Sequence, residues 1–215
     1  MLFSDIGDTC SILYLIGAAA YDWRSHGLAI PTWYLNSAAA VSGVYFAYVT
    51  AVIRFDVPFT VLRLLTLGAS VLLAVFLYRT ALLGHADLYA LVTVTLLSPQ
   101  LALGAFILAS LIALITCSMF ALTVNRRRHD TRPFLDRLLS VRITPRLLQL
   151  PLLSWTKAYD HLGRPHALFD AEHADMTVQI GEYGTLAYPF IPFFAVAEVA
   201  LVFVSLAGLQ VPLLV

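Results

Sequence analysis

Six apolar stretches, set apart by charges, prolines and glycines, make up most of the pattern along the chain. They run from Ile6 to Tyr21, Trp33 to Ile53, Phe59 to Leu83, Leu88 to Leu97, Leu101 to Val124 and Leu186 to Leu206. A helix rises by about 1.5 Å per residue, so roughly 20 mainly apolar residues cross the hydrocarbon layer of a bilayer. The fourth stretch is short even when Gly84 to Asp87 is added, which predicts a tilted, re-entrant or non-helically entered segment. Within the first run, Ile12 to Ala20 imitates the apolar region of a cleaved signal, but Asp5 and Asp8 precede it where such a signal would carry basic residues, and it therefore reads as the first span. One long polar segment, Asn125 to Gly184, separates the fifth stretch from the sixth.

Inside that segment, Pro133 to Leu150 places Leu135, Leu138 and Leu139 on one face and Arg137, Arg142 and Arg146 on another, which predicts an amphipathic helix. Thr156 to Tyr159 and Arg164 to Phe169, joined by the turn-like Asp160-His161-Leu162-Gly163, predict a β-hairpin, with Met176 to Ile180 as a further strand. Charge sets the expected orientation. With six spans, eleven of the thirteen basic residues fall on one side, leaving Arg54 and Arg63 opposite. That side is then cytoplasmic and both termini are external. The expectation is an all-α polytopic membrane protein of about six transmembrane helices, with a small cytoplasmic α+β insertion between helices 5 and 6. Residues 1–124 form the first five helices, 125–184 the soluble domain, and 185–215 the sixth helix and C-terminus.

Composition agrees: 60% of the 215 residues are apolar and 12% are charged, beyond what a soluble fold can bury. Thirteen basic and thirteen acidic residues cancel, so nothing points to nucleic acid. Cys10 and Cys117 sit in apolar runs and read as packed or lipid-facing residues. With no C-x-x-C pair and no glycine-rich nucleotide loop, no metal and no cofactor is expected.

Ionisable groups at or inside apolar spans are costly and so invite a functional reading. Arg63 and Arg79, near span ends, read as interfacial anchors. Glu198 lies deep in the sixth span with no evident partner and is a secondary site candidate. Asp22 ends the first span and Asp87 begins the fourth. Singly, each would mark the water boundary, but the topology puts both at the cytoplasmic face although two whole spans lie between them. Two carboxyls at one depth can share a proton, since like charges at short range cannot both ionise. The ionised member then takes a proton from water while the protonated one polarises a scissile carbonyl. Gly84-His85-Ala86-Asp87 puts a glycine three residues before the second aspartate, where a close backbone approach or an unusual dihedral is expected. Tyr21-Asp22-Trp23-Arg24 is followed by Ile30-Pro31, which forces an extended entry into the second span.

Together these features resemble the archaeal type IV prepilin and preflagellin (prearchaellin) peptidases, members of the Gly-x-Gly-Asp membrane aspartic proteases. The likeness extends to chain size, the six-span layout, the insertion before the last span and its Tyr188-Pro189-Phe190-Ile191-Pro192-Phe193 start. Ala86 stands where the wider group has its second glycine, and Thr32 where asparagine is common. The resemblance implies catalytic Asp22 and Asp87, with Gly84, His85 and Ala86 supporting the second motif and Arg24 beside the first. It implies a substrate, the precursor of a pilin or archaellin, cut after a short basic leader in the multi-pass cell membrane. Acidic Asp170, Glu172 and Asp175 read mainly as solvated surface. The competing reading is a proton- or cation-coupled transporter, or a membrane scaffold subunit, that uses the same acids.

Overall fold

A computed structural model describes residues 2–25, 30–53, 57–79, 84–128, 130–149, 154–157, 178–187 and 190–206. Helix α1 (Leu2–Ser25) leads to α2 (Thr32–Tyr48), which runs on into a π-helical turn (Val49–Ile53), then α3 (Val57–Arg79), α4 (His85–Leu97) and α5 (Ala102–Arg127). The long α5 carries Arg126 and Arg127 in its last turn, where positive charge suits the helix dipole. After α5 come α6 (Phe134–Leu139), β1 (Val141–Arg142), α7 (Pro145–Leu148), β2 (Ser154–Lys157) and β3 (Tyr183–Ala187), and α8 (Phe190–Leu206) follows.

Among the described residues, three helices, spanning Thr32–Val52, Val57–Arg79 and Ala102–Arg127, are long and apolar enough to cross a membrane. Their outer faces are apolar as well: Val41 and Val44, Leu72 and Phe76, Leu111 and Ile115 are all exposed. A bilayer covers such faces where water would not, so the chain is a membrane protein. Helix α1 reaches four residues beyond Tyr21, which brings Asp22 inside its last turn. At 13 residues, α4 is only about 20 Å long, shorter than the roughly 30 Å hydrocarbon layer.

The core lies where α8 packs on α1 and α5, and α4 packs on α2 and α3. Alanines at 18, 74, 90, 102, 105, 109 and 197 are fully buried there, and their small side chains let helix backbones approach closely. Glycine serves the same end at Gly7, where an added Cβ would lie 2.3 Å from the Leu97 carbonyl oxygen and 3.0 Å from the Tyr45 hydroxyl. The entry to α2 is extended as expected, with Pro31 at φ −57°, ψ 128°. Tyr34 stacks on Tyr14 with ring centroids 5.7 Å apart and donates to the Tyr14 carbonyl oxygen at 3.0 Å.

The segment after α5 departs from the expected single helix over Pro133 to Leu150. Ser140 turns the chain extended, at φ −136°, ψ 151°. Pro145 then holds Thr144 extended, because its ring disfavours a helical conformation in the preceding residue. The helix is therefore cut into α6 and α7 with β1 between. The sheet has the order β1-β3-β2, and both pairings are antiparallel. Its central strand is Tyr183–Ala187, later than the strand expected over Met176 to Ile180, and the sixth helix accordingly starts at Phe190, not Leu186. The hairpin turn at Asp160 and its second strand, like Asp170, Glu172 and Asp175, lie outside the described residues. Buried Asn125 ties this unit to α5 by donating from Nδ2 to the carbonyl oxygens of Arg137 and Ser140, both at 2.8 Å. Val141, Ile143, Leu147 and Val178 pack with Ala121 to form its apolar centre. Arg132 grips Asp130 at 2.7 Å and lies 3.6 Å from the Tyr183 ring centroid.

Candidate active site

Asp87 occupies the third position of α4, after Gly84 as N-cap, His85 and Ala86. The Gly84 N–H donates to the Asp87 carboxylate, while the Leu88 N–H donates to the Gly84 carbonyl oxygen at 3.0 Å. An acidic side chain reaching back to the N-cap amide is the reciprocal arrangement of a capping box. The reason for glycine is therefore space. Gly84 has φ −72° and ψ 162°, an extended conformation open to any residue, but a Cβ there would stand 3.2 Å from Asp87 Oδ2. Close approach, not an unusual dihedral, accounts for the G-x-x-D spacing.

Asp22 is 5% exposed, and its carboxylate accepts the backbone N–H of Ile191 in the first turn of α8. The first amides of a helix have no partner within it, and Pro192 has no N–H to offer. Each aspartate is thus seated at a helix N-terminus, Asp22 at that of α8 and Asp87 at that of α4, where amide dipoles favour negative charge. The two side chains are near enough that the charge of Asp22 acts on Asp87.

Around them, Tyr14 is buried between α1 and α4, with its hydroxyl beside Thr93 and within reach of the Asp87 charge. Ala86 packs against the core. His85 is exposed, and its ring lies 4.9 Å from Tyr89 and 6.3 Å from Tyr78, centroid to centroid, which places it in an aromatic cluster on the outer side of α4. Arg24 falls in the last turn of α1, with its side chain outside the described set. Glu198 is not part of this group: it lies two turns further along α8 than Ile191. It also has a partner that sequence reading missed, Ser11, whose Oγ is 2.9 Å from Glu198 Oε1. Arg63, read from sequence as an anchor, packs within the protein. It is 5% exposed, with its guanidinium 4.7 Å from the Phe46 ring centroid and 5.4 Å from that of Phe59, a cation–π arrangement. Arg79 is exposed, and Cys10 and Cys117 are free thiols.

Sequence reading also missed the Ile191 amide and the Tyr14–Thr93 pair. The proline-bounded start of α8 was the available signal for the first. Chemically, two amide-held carboxyls of which one feels the other's charge are suited to hold different protonation states, so that one can act as base and the other as acid. Comparison of the chain with family models, curated proteins and solved structures found no match.

Proposed function

We propose that this protein is a membrane aspartic endopeptidase that removes the short basic leader from pilin or archaellin precursors at the cytoplasmic membrane face. The observation that carries this reading is that Asp22 and Asp87, from two helices separated by two intervening ones, are each seated on a helix N-terminus, with the charge of Asp22 acting on Asp87. One aspartate, ionised, draws a proton from the attacking water. Its neighbour, protonated, polarises the scissile carbonyl, and the roles reverse as the tetrahedral intermediate collapses.

In this reading α1, α4 and α8 cross the bilayer together with the three long apolar helices, both termini are external, and the unit after α5 faces the cytoplasm. Short α4 sets Asp87 below the headgroups. A precursor whose basic leader stays in the cytoplasm brings its cleavage point to that depth as its hydrophobic helix enters the membrane. The experiment is co-expression with a pilin or archaellin precursor, reading leader removal by mobility and by the new N-terminus. The parent cleaves; Asp22→Asn and Asp87→Asn, present in the membrane at equal amounts, do not. A parent that leaves every such precursor intact refutes the assigned substrate.

A further inference from the structure

At the other end of α4 lies a second polar cluster, built on the same helices. Asp8 and Ser11 come from α1, Ser98 closes α4 and Glu198 comes from α8. Ser11 and Glu198 are fully buried and Ser98 nearly so. Ser98 Oγ donates to Asp8 Oδ1 at 2.6 Å. Ser11 Oγ stands 2.8 Å from the Asp8 carbonyl oxygen and 2.9 Å from Glu198 Oε1. Glu198 Oε2 has no hydrogen-bond partner among the described residues.

Counting hydrogens points to the state of Glu198. A serine hydroxyl has one hydrogen to give. The Asp8 carbonyl oxygen can only accept, so the Ser11 hydrogen belongs to that contact. The contact between Ser11 Oγ and Glu198 Oε1 needs a hydrogen of its own, because two bare oxygens at hydrogen-bond distance repel. Ser98 Oγ also reaches the Glu198 carboxyl, but its hydrogen goes to Asp8 Oδ1 at 2.6 Å, so the hydrogen between Ser11 and Glu198 is assigned to the acid. The bare Oε2 fits the same assignment: an unpaired oxygen of a neutral acid is far less costly to bury than half of an ionised carboxylate.

We propose that Asp8, Ser11, Ser98 and Glu198 form an intramembrane proton-binding site, in which Glu198 is held as the neutral acid and donates its hydrogen to Ser11, latching α8 onto α1. The elements packed on α8 supply little else that is charged near it. Asp8 faces it from α1 and Ser98 from the end of α4, while the buried α5 residues Ala102, Ala105, Phe106 and Ala109 are apolar. Tyr45 of α2 senses both Asp8 and Arg63 of α3. The site does not depend on the peptidase reading.

A neutral carboxylic acid in apolar surroundings is the form that reacts with dicyclohexylcarbodiimide. The acid proton moves to one carbodiimide nitrogen and the carboxyl oxygen bonds to the central carbon. The resulting O-acylisourea rearranges to a stable N-acylurea, with no group lost. The full-length protein in phospholipid vesicles is treated with the reagent near neutral pH and mapped by peptide mass spectrometry. The adduct is expected on Glu198, decreasing as pH is raised, lost in Glu198→Gln, and unchanged in Asp22→Asn and Asp87→Asn. Infrared difference spectra of parent minus Glu198→Gln, which need no reagent access, are expected to show a protonated-carboxyl C=O band. Glu198→Gln keeps the parent's melting temperature, because its amide donates to Ser11 in place of the acid. A difference spectrum showing an ionised carboxylate instead overturns the proposal, as does modification of Asp8 in place of Glu198. Protection of Glu198 by sodium at constant pH and ionic strength also overturns it, in favour of a metal-ion site.

Discussion

Replacing Gly84 with alanine adds one carbon 3.2 Å from Asp87 Oδ2, and the structure says what must give. The backbone conformation at Gly84 suits alanine, so any effect acts through the carboxylate. Turning Asp87 away from its rotamer costs about 0.5–1.5 kcal/mol. Losing the bond from the Gly84 amide altogether costs about 1.5–3 kcal/mol, the value of a hydrogen bond to a charged group. At about 1.4 kcal/mol per tenfold, precursor cleavage should slow by between about twofold and about a hundredfold. Gly84→Val should be slower still. The assay is the initial rate of leader removal in membrane vesicles, normalised to the amount of inserted protein. Gly84→Ser separates site from scaffold: it carries the same Cβ but is a better N-cap, so it should slow cleavage as alanine does while helping α4 to start. Parent-like rates for Gly84→Ala, or restored activity in Gly84→Ser, would refute the close-approach account of the motif.

Two further outcomes follow from packing and charge. Gly7→Ala should lower the melting temperature in detergent, because its Cβ meets the rigid Leu97 carbonyl at 2.3 Å; overpacking of this kind costs about 1–3 kcal/mol. In the unit after α5, the Arg132 guanidinium holds the Asp130 carboxyl below its ordinary range. A lowered folded-state pKa means that the pair's stabilisation is full above the ordinary aspartate value near 4 and is lost as pH falls through the lower folded value. Trp155 emission during thermal melts, in a protein with Trp23→Phe and Trp33→Phe, should therefore show a stability loss below about pH 4 that is much reduced in Arg132→Gln.

How far the chain could be read in advance depended on whether the relevant contact was local. The apolar runs of α2, α3 and α5 declared themselves, whereas α4 starts at His85, ahead of the apolar stretch that begins at Leu88, because Gly84 caps it and the polar first turn is helical too. The leucine spacing from Pro133 onward was misleading: it fitted a helix, and only the demands of Pro145 on Thr144 and the extended Ser140 ended it. The pairing of β3 with both β1 and β2 joins distant segments whose side chains do not specify the register. Asp22 is held by a backbone amide of α8, a donor that every residue except proline carries and that no residue type announces. Glu198 found its partner 187 positions away, so the sequence showed a buried acid and not the serine that answers it.

The central claim is that Asp22 and Asp87 are one catalytic unit. Residues that act as a unit are non-additive when removed. The most direct measurement is the precursor-cleavage rate of the purified protein in vesicles for Asp22→Asn, Asp87→Asn and the double variant. Each single variant is predicted to fall to background, with the double no lower and all three melting as folded proteins. Cleavage retained by either single variant at near the parental rate would contradict the claim.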